Sequence, residues 1–264
     1  MLETNPFSIL AETVSPFAMQ SFIIAMILLI AFGTIIQMIH HKNLTYFLNN
    51  AKKAKLQATR EIGTGERVSI LAKTAVVDIG TTSELGFGKR RLSHVLGMYG
   101  TIIFWVSSAM LVFCYTGADK SSSTIWSMLW HVGAILTCIG GYWFWLFLRV
   151  DVSAEAHPWY RIIKADLFVL ALLACSTFGL AWSYTQFNGQ VGLSFLFLTL
   201  FVASNLVLFG GVYWSKFAHM FYKPGAAIQK NLAEADGSRD NLPPLADAPK
   251  QFGLGIKREE PKHY

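Results

Sequence analysis

Histidine carries most of the chemical reach in this chain, because a neutral imidazole can ligate a metal and titrates near neutrality. Seven are present among 264 residues. His219 sits in the run Trp214-Ser215-Lys216-Phe217-Ala218-His219-Met220-Phe221-Tyr222-Lys223-Pro224. Counting back from it by helical turns gives Ser215, Gly211, Leu208 and Ser204, with Asn205 beside the last. That face is small and polar, so it is expected to look into protein and not into lipid. His94 follows the basic cluster Lys89-Arg90-Arg91 by three residues. Its same-face successors are Gly97, Met98, Thr101, Trp105 and Ser108. Gly97 removes side-chain bulk one turn from the histidine, as a flat macrocycle or a close helix requires. The plainer reading makes His94 an interfacial residue and Gly97 and Gly100 packing contacts.

The remaining chemistry is sparser. His40 and His41 are neighbours, which point about 100° apart on a helix and cannot serve one partner together. They read as interfacial residues, with His40 beside a quinone or haem propionate as the alternative. His131 falls about 15 Å into an apolar run counted from Ser121. An intramembrane histidine is a functional candidate by default, but no second histidine shares its depth. A hydrogen bond to Asn205, to Ser107 or to a quinone is the expected role. His157 precedes Pro158 in a short loop and reads as exposed. Cys114, Cys138 and Cys175 share no metal-binding spacing, and Cys-x-x-Cys is absent, which excludes an iron–sulfur cluster or zinc site built by this chain. Gly80 to Gly88 lacks the phosphate-loop pattern, and no Ser/His/Asp set is recognisable. Substrate redox chemistry would belong to another subunit.

The elements that must position these residues are apolar helices. Hydrophobic residues make up 53% of the chain and charged ones 14%, with a mean hydropathy of +0.41. Charges are missing from 13–41, 92–118, 121–148 and 167–215. A spanning helix needs about 20 apolar residues, and the last gap is broken by a turn at Ser183 to Gln190. Five spans are expected, near 18–40, 93–116, 123–148, 164–184 and 191–219, so the fold class is an all-α membrane protein. Residues 1–17 hold Glu3 and Glu12 and no Lys or Arg, and the apolar run after them is full length. The first span is therefore read as a membrane helix and not a secretory signal.

The expected organisation is an outer segment 1–17, the first span 18–41, a basic loop 42–91, a four-span bundle 92–224 and a tail 225–264. Twenty-one of the 22 Lys and Arg fall on one side of this arrangement; only Lys120 lies on the other. That asymmetry predicts an outer N-terminus and a cytoplasmic C-terminus. It accounts for the net charge of +6 by topology, so nucleic acid is not a partner; the lipid bilayer is. Residues 44–60 read as an amphipathic basic helix on an anionic membrane surface, with Leu44, Phe47, Leu48, Ala51 and Leu56 on the apolar side. Residues 68–78 read as a short helix or strand. The fourth span is plain, with Ser176 and Thr177 as its polar interior. The tail carries Pro243, Pro244, Pro249 and Pro261 among scattered charges, and is expected to be disordered until a partner orders it.

With this topology His94 and His219 fall on the same side at similar depth, on the second and fifth spans. Five spans, an outer N-terminus and the segments Arg91-Leu92-Ser93-His94 and Ser215 to Pro224 resemble the membrane cytochrome b subunits of the respiratory nitrate reductase gamma type. The nearest resemblance is to the membrane anchor of dissimilatory adenylylsulfate reductase. It covers roughly residues 75–224. It implies one haem b near the inner face with His94 and His219 as axial ligands, Gly97 and Gly211 beside them, and a quinone as substrate. It also implies a soluble cytoplasmic redox enzyme carrying flavin and/or iron–sulfur centres as partner, in a bacterial-type cytoplasmic (inner) membrane. The family pattern has a second, outer histidine on each of these helices. Thr101 to Cys114 and Val191 to Ser215 contain none, so no outer haem is expected.

Three readings follow: a haem-bearing electron-transfer anchor, a haem-free structural anchor for the same kind of enzyme, and a small transporter. No expected span contains an acidic residue beyond Asp166 at the very start of the fourth, and none has a mid-span break, which weighs against the transporter. Reporter fusions should place residues 120 and 188 outside and residues 60, 155 and 240 inside. A periplasmic signal at 240 would overturn the five-span topology.

Overall fold

The structure is a computed structural model that describes all residues except 41, 86–87, 117–123, 152–156, 216, 218 and 239–264. Among the described residues the regular elements are all helical. Five helices are long and apolar enough to cross a membrane: Pro16–His40, Lys89–Cys114, Thr124–Leu148, Lys164–Phe187 and Val191–Tyr213. The chain forms two compact units. One contains Met1–Gln37 and Leu92–Ala218, the other Met38–Arg91 and the chain from His219.

In the first unit, α1 (Pro6–Leu10) precedes α2 (Pro16–His40). Ser15 caps α2 by accepting from the Ala18 amide at 3.3 Å, and Pro16 supplies the preset φ of a first helical position. The bundle continues with α5 (Lys89–Cys114), α6 (Thr124–Trp143, with a π-helical continuation Phe144–Leu148), α7 (Leu167–Phe187) and α8 (Val191–Gly210). The second unit holds α3 (Asn43–Gln57), α4 (Thr64–Lys73, continuing as a π-helical turn to Gly80) and α9 (His219–Asp236).

Helices α5 and α6 meet backbone to backbone. A Cβ added at Gly100 would lie 2.5 Å from the Thr137 nitrogen; at Gly133, 2.6 Å from the Phe104 nitrogen; at Gly140, 2.5 Å from the Gly97 nitrogen. No real side chain fits such gaps, so each glycine is required by the approach of the other helix. Hydroxyls zip the same seam. Ser93 Oγ donates to the Gly140 carbonyl at 2.8 Å, and the Thr101 and Thr137 hydroxyls meet at 3.4 Å. Small residues at helical spacing are what helix association in lipid uses, because close packing and internal hydrogen bonds replace the hydrophobic drive.

Two turns differ from the sequence reading. The fourth span runs on to Phe187, leaving only Asn188, Gly189 and Gln190 between helices. The polar residues Ser183 to Gln186 were expected to turn, yet Thr185 returns its hydroxyl to the Ala181 carbonyl at 2.9 Å and stays helical. Gly189 takes the left-handed conformation, φ 68°, that closes the hairpin. The fifth span was expected to reach 219. It ends instead in a 3-10 turn, Gly211–Tyr213. Phe217 then returns into the first unit, fully buried among Trp105, Phe168 and Phe209 at centroid distances of 5.3–6.0 Å.

At the end of α6, Arg149 is 1% exposed. Its guanidinium donates to the Pro158 and Arg161 carbonyls at 3.0 and 2.7 Å and to Asp166 at 2.5 Å, and lies 4.2 Å from the Trp145 ring centroid. Asp166 also accepts from the Ile163 amide at 2.9 Å. A residue read as a topology charge is thus the pin of the loop between α6 and α7. Removing one partner of such a pair leaves a buried unpaired charge, which costs about 3–5 kcal/mol.

In the second unit, 68–78 resolves as helix. Residues 225–236, expected to be disordered, belong to α9. Asn231 Nδ2 donates to Thr74 Oγ1 and Asp78 Oδ2, both at 2.7 Å. The Thr59 amide and the Arg60 guanidinium cap the end of α9 at the Asp236 and Ala235 carbonyls. Cationic groups at a helix C-terminus complement its dipole. The part of the tail that carries Leu242, Leu245, Phe252, Leu254 and Ile256 lies outside the described residues, as does His41.

The seam makes a contrast that thermal unfolding in detergent can read. Gly100→Val and Gly140→Val should each destabilise by about 2 kcal/mol or more. Gly97→Ala should stay within about 0.5 kcal/mol, because the Cβ direction at Gly97 meets nothing within 4 Å. Equal tolerance at all three positions would contradict the backbone contact.

Candidate functional site

The expected ligand face of α8 is buried: Ser204, Asn205, Leu208, Gly211 and Ser215 are all at most 8% exposed. Each position has its own local cause. Asn205 donates to the Phe201 carbonyl one turn back at 2.8 Å. Ser204 returns its hydroxyl to the Leu200 carbonyl at 2.7 Å. Gly211 lies under the Trp214 indole, whose nitrogen would be 3.7 Å from an added Cβ. Its carbonyl accepts from the Trp214 and Ser215 amides. An added Cβ would make ordinary contact there, so the turn and the indole do not by themselves require glycine at 211.

His94 lies on α5 and is exposed. The preceding residue sets its direction: Ser93 is buried against Gly140, so His94 turns about 100° away from the seam. One turn on, Gly97 opens onto unfilled space while its backbone abuts Gly140. The packing role read from the sequence for Gly97 is thus carried by its backbone, against Gly140. His219 opens α9. It stands beyond the end of the fifth span and belongs to the second unit, whereas His94 belongs to the first. His40 ends α2 and is exposed.

His131 is placed otherwise than expected. It is fully buried, and its ring nitrogens meet the Ser127 carbonyl and Ser183 Oγ, each at 2.7 Å. A carbonyl only accepts, so Nδ1 carries the proton there, and neutral imidazole then accepts from Ser183 at Nε2. Its partners are thus Ser127 and Ser183 in place of the expected Asn205 or Ser107, and both nitrogens are engaged. Trp130 packs edge-on at 4.9 Å, with its own indole N–H donating to Ser108 at 2.9 Å.

Sequence reasoning missed three contributors. Ser183 was assigned to a turn and the fourth span to scaffold; the signal was a polar side chain within helical reach of the bundle interior. Phe7 was left in an outer segment, yet its ring lies edge-on to Trp130 at 5.8 Å and to Trp182 at 5.4 Å. Asn5 holds that segment in place, donating to the Tyr115 carbonyl and accepting from the Phe7 amide, both at 3.0 Å. Arg149 is the third, and nothing local in the sequence marks its burial.

Among the described residues no group of three or more His, Cys, Asp or Glu is placed to hold a metal ion. A haem iron asks less of the protein, two axial imidazoles and a flat cleft. The chain matches no family model, no curated protein and no solved structure.

Proposed function

We propose that this chain is the membrane-anchor and electron-transfer subunit of a complex. A soluble cytoplasmic oxidoreductase carrying flavin and/or iron–sulfur centres sits on its inner face, with adenylylsulfate reductase as the candidate, and exchanges electrons with the quinone pool. The observation that carries this reading is the second unit. Two distant segments, both on the side that the positive-inside rule assigns to the cytoplasm, fold into one helical layer through Asn231, Thr59 and Arg60. Membrane insertion alone has no use for such a layer. Its exposed apolar residues include Val68 at 60% and Val76 at 67%, where a partner protein gains contact area.

In this reading His94 and His219 would be the residues that hold one inner-side haem b, and such a haem would supply one-electron transfer between the partner and quinone. Ser93 fixes the rotation of α5 that aims His94 off the seam, and Gly97 leaves room beside it. A bacterial-type inner membrane is the setting the resemblance implies.

A second reading keeps the anchor and omits the haem. Two observations favour it. The fifth span ends at Tyr213, before His219, and the α5–α6 contact accounts for Gly100, Gly133 and Gly140 by packing alone.

Purification in mild detergent should retain a protein with flavin or iron–sulfur absorption whose turnover with a quinone analogue is lost when this chain is removed. Deleting 239–264 should leave the five spans inserted and release that enzyme; the cut spares Asp236, which receives Thr59 and Arg60. Retention of the enzyme by the shortened chain would make the basic loop the tether. Recovery of the chain without any cofactor-bearing partner, at low and moderate salt, would contradict the anchor reading.

A further inference from the structure

Helix α3 has more apolar surface than the second unit uses. Its packing side is formed by Phe47, Asn50, Ala51 and Ala54, which are half-buried or buried; Ala54 is 6% exposed and Phe47 lies 3.8 Å from where a Gly225 Cβ would be. At about 100° per residue these four fall within about 100° of one another. This corrects the apolar side expected from the sequence, which joined Phe47 and Ala51 to Leu44, Leu48 and Leu56. Those three leucines are exposed at 46%, 49% and 87%. They share a separate arc of about 120° with Lys52 and Lys55, both of which are also exposed. The rest of the circumference carries Asn49, Lys53 and Gln57 together with Tyr46, all exposed.

We propose that this leucine–lysine arc binds the surface of an anionic phospholipid bilayer, with Leu44, Leu48 and Leu56 inserted between headgroups and Lys52 and Lys55 on their phosphates. Three observations point to that occupant. First, α3 begins at Asn43, only three residues after the spanning helix α2 ends at His40. Lys42 makes the corner in the left-handed conformation, φ 53°, so the helix starts at headgroup level by connectivity. Second, the charge is of one sign. From Lys42 to Arg60 there are five Lys and Arg and no Asp or Glu, whereas 61–84 carries Glu61, Glu66, Asp78 and Glu84. Third, the leucines and lysines are interleaved on one arc. A lysine can lay its methylene stem along inserted apolar groups and lift its ammonium to a phosphate. In-plane amphipathic helices use this arrangement, burying their apolar side about 5–10 Å into the headgroup boundary.

Lipid on α3 leaves the mixed-charge region around α4 for a protein. The membrane role of α3 is independent of haem and of the oxidoreductase, so it stands or falls separately from the proposed function.

The test uses the full chain in lipid nanodiscs, with an environment-sensitive fluorescent amino acid at position 56 or, on the polar side, at position 57. Quenching by acyl chains brominated near the headgroup reads insertion. In discs of phosphatidylcholine with phosphatidylglycerol, quenching at 56 should exceed that at 57 by about threefold or more. Lys52→Glu together with Lys55→Glu should abolish the difference while the tryptophan emission of the bundle stays unchanged. Equal and weak quenching at 56 and 57 overturns the proposal. Quenching at 56 that is as strong in phosphatidylcholine alone overturns the headgroup assignment. Shielding of 56 only after a soluble protein is added makes the arc a protein-docking surface and overturns it as well.

Discussion

Inside a bilayer a buried polar group needs a partner within the protein, and at their seam α5 and α6 meet that demand at the shortest range available to two helices. The glycines at 100, 133 and 140 bring backbone against backbone. The hydroxyls of Ser93, Thr101 and Thr137 then bond to carbonyls and to each other across or along the seam. A methyl group on any of the three glycines would separate the helices and break the bond from Ser93 to Gly140, while Thr101 and Thr137 would keep the bonds to their own helices. The direction of every other side chain on α5 follows from this contact. Phe104 and Trp130 are carried to the centre of the aromatic core, and His94 is carried out of the bundle.

The same demand is met by five further polar residues of the first unit, Thr185, Ser204, Asn205, His131 and Arg149. Thr185, Ser204 and Asn205 each bond one turn back to their own helix. His131 bonds once along α6 and once across to Ser183 on α7. Arg149, only 1% exposed, is met by a carboxylate, two carbonyls and an indole face. Those three answers differ in reach, from four residues to seventeen and fifty-two. Sequence-local bonds are cheap to form, while the distant ones specify which helices are neighbours.

That difference in reach is also what separates the legible from the illegible. Five spans were readable because uncharged runs and charge asymmetry are properties of contiguous sequence. The burial of Ser204, Asn205, Leu208 and Gly211 followed from helical spacing alone. The end of the fourth span was misjudged because Ser183 and Thr185 look like turn residues until their partners are known. The fifth span was drawn too long because an uncharged run does not distinguish a helix from the 3-10 turn at Gly211–Tyr213. Helix α9 was invisible for a stronger reason. Asn231 bonds to Thr74 and Asp78 some 150 residues earlier, and a segment stabilised by such contacts carries no periodic signature of its own strength. The two sides of α3 were merged for a related reason, since a projection of the sequence counts apolar residues without knowing which of them another helix covers.

The functional account rests on one claim about chemistry, that His94 and His219 hold a haem. His131 is the natural internal control, because both of its nitrogens are already engaged by Ser127 and Ser183. A dithionite-reduced minus oxidised visible spectrum of the purified chain decides the matter. The account predicts the absorption bands of one b-type haem per chain, lost in His94→Ala and in His219→Ala and kept in His131→Ala. A featureless spectrum from the intact protein, or a full haem complement in the chain with both His94→Ala and His219→Ala, would contradict it.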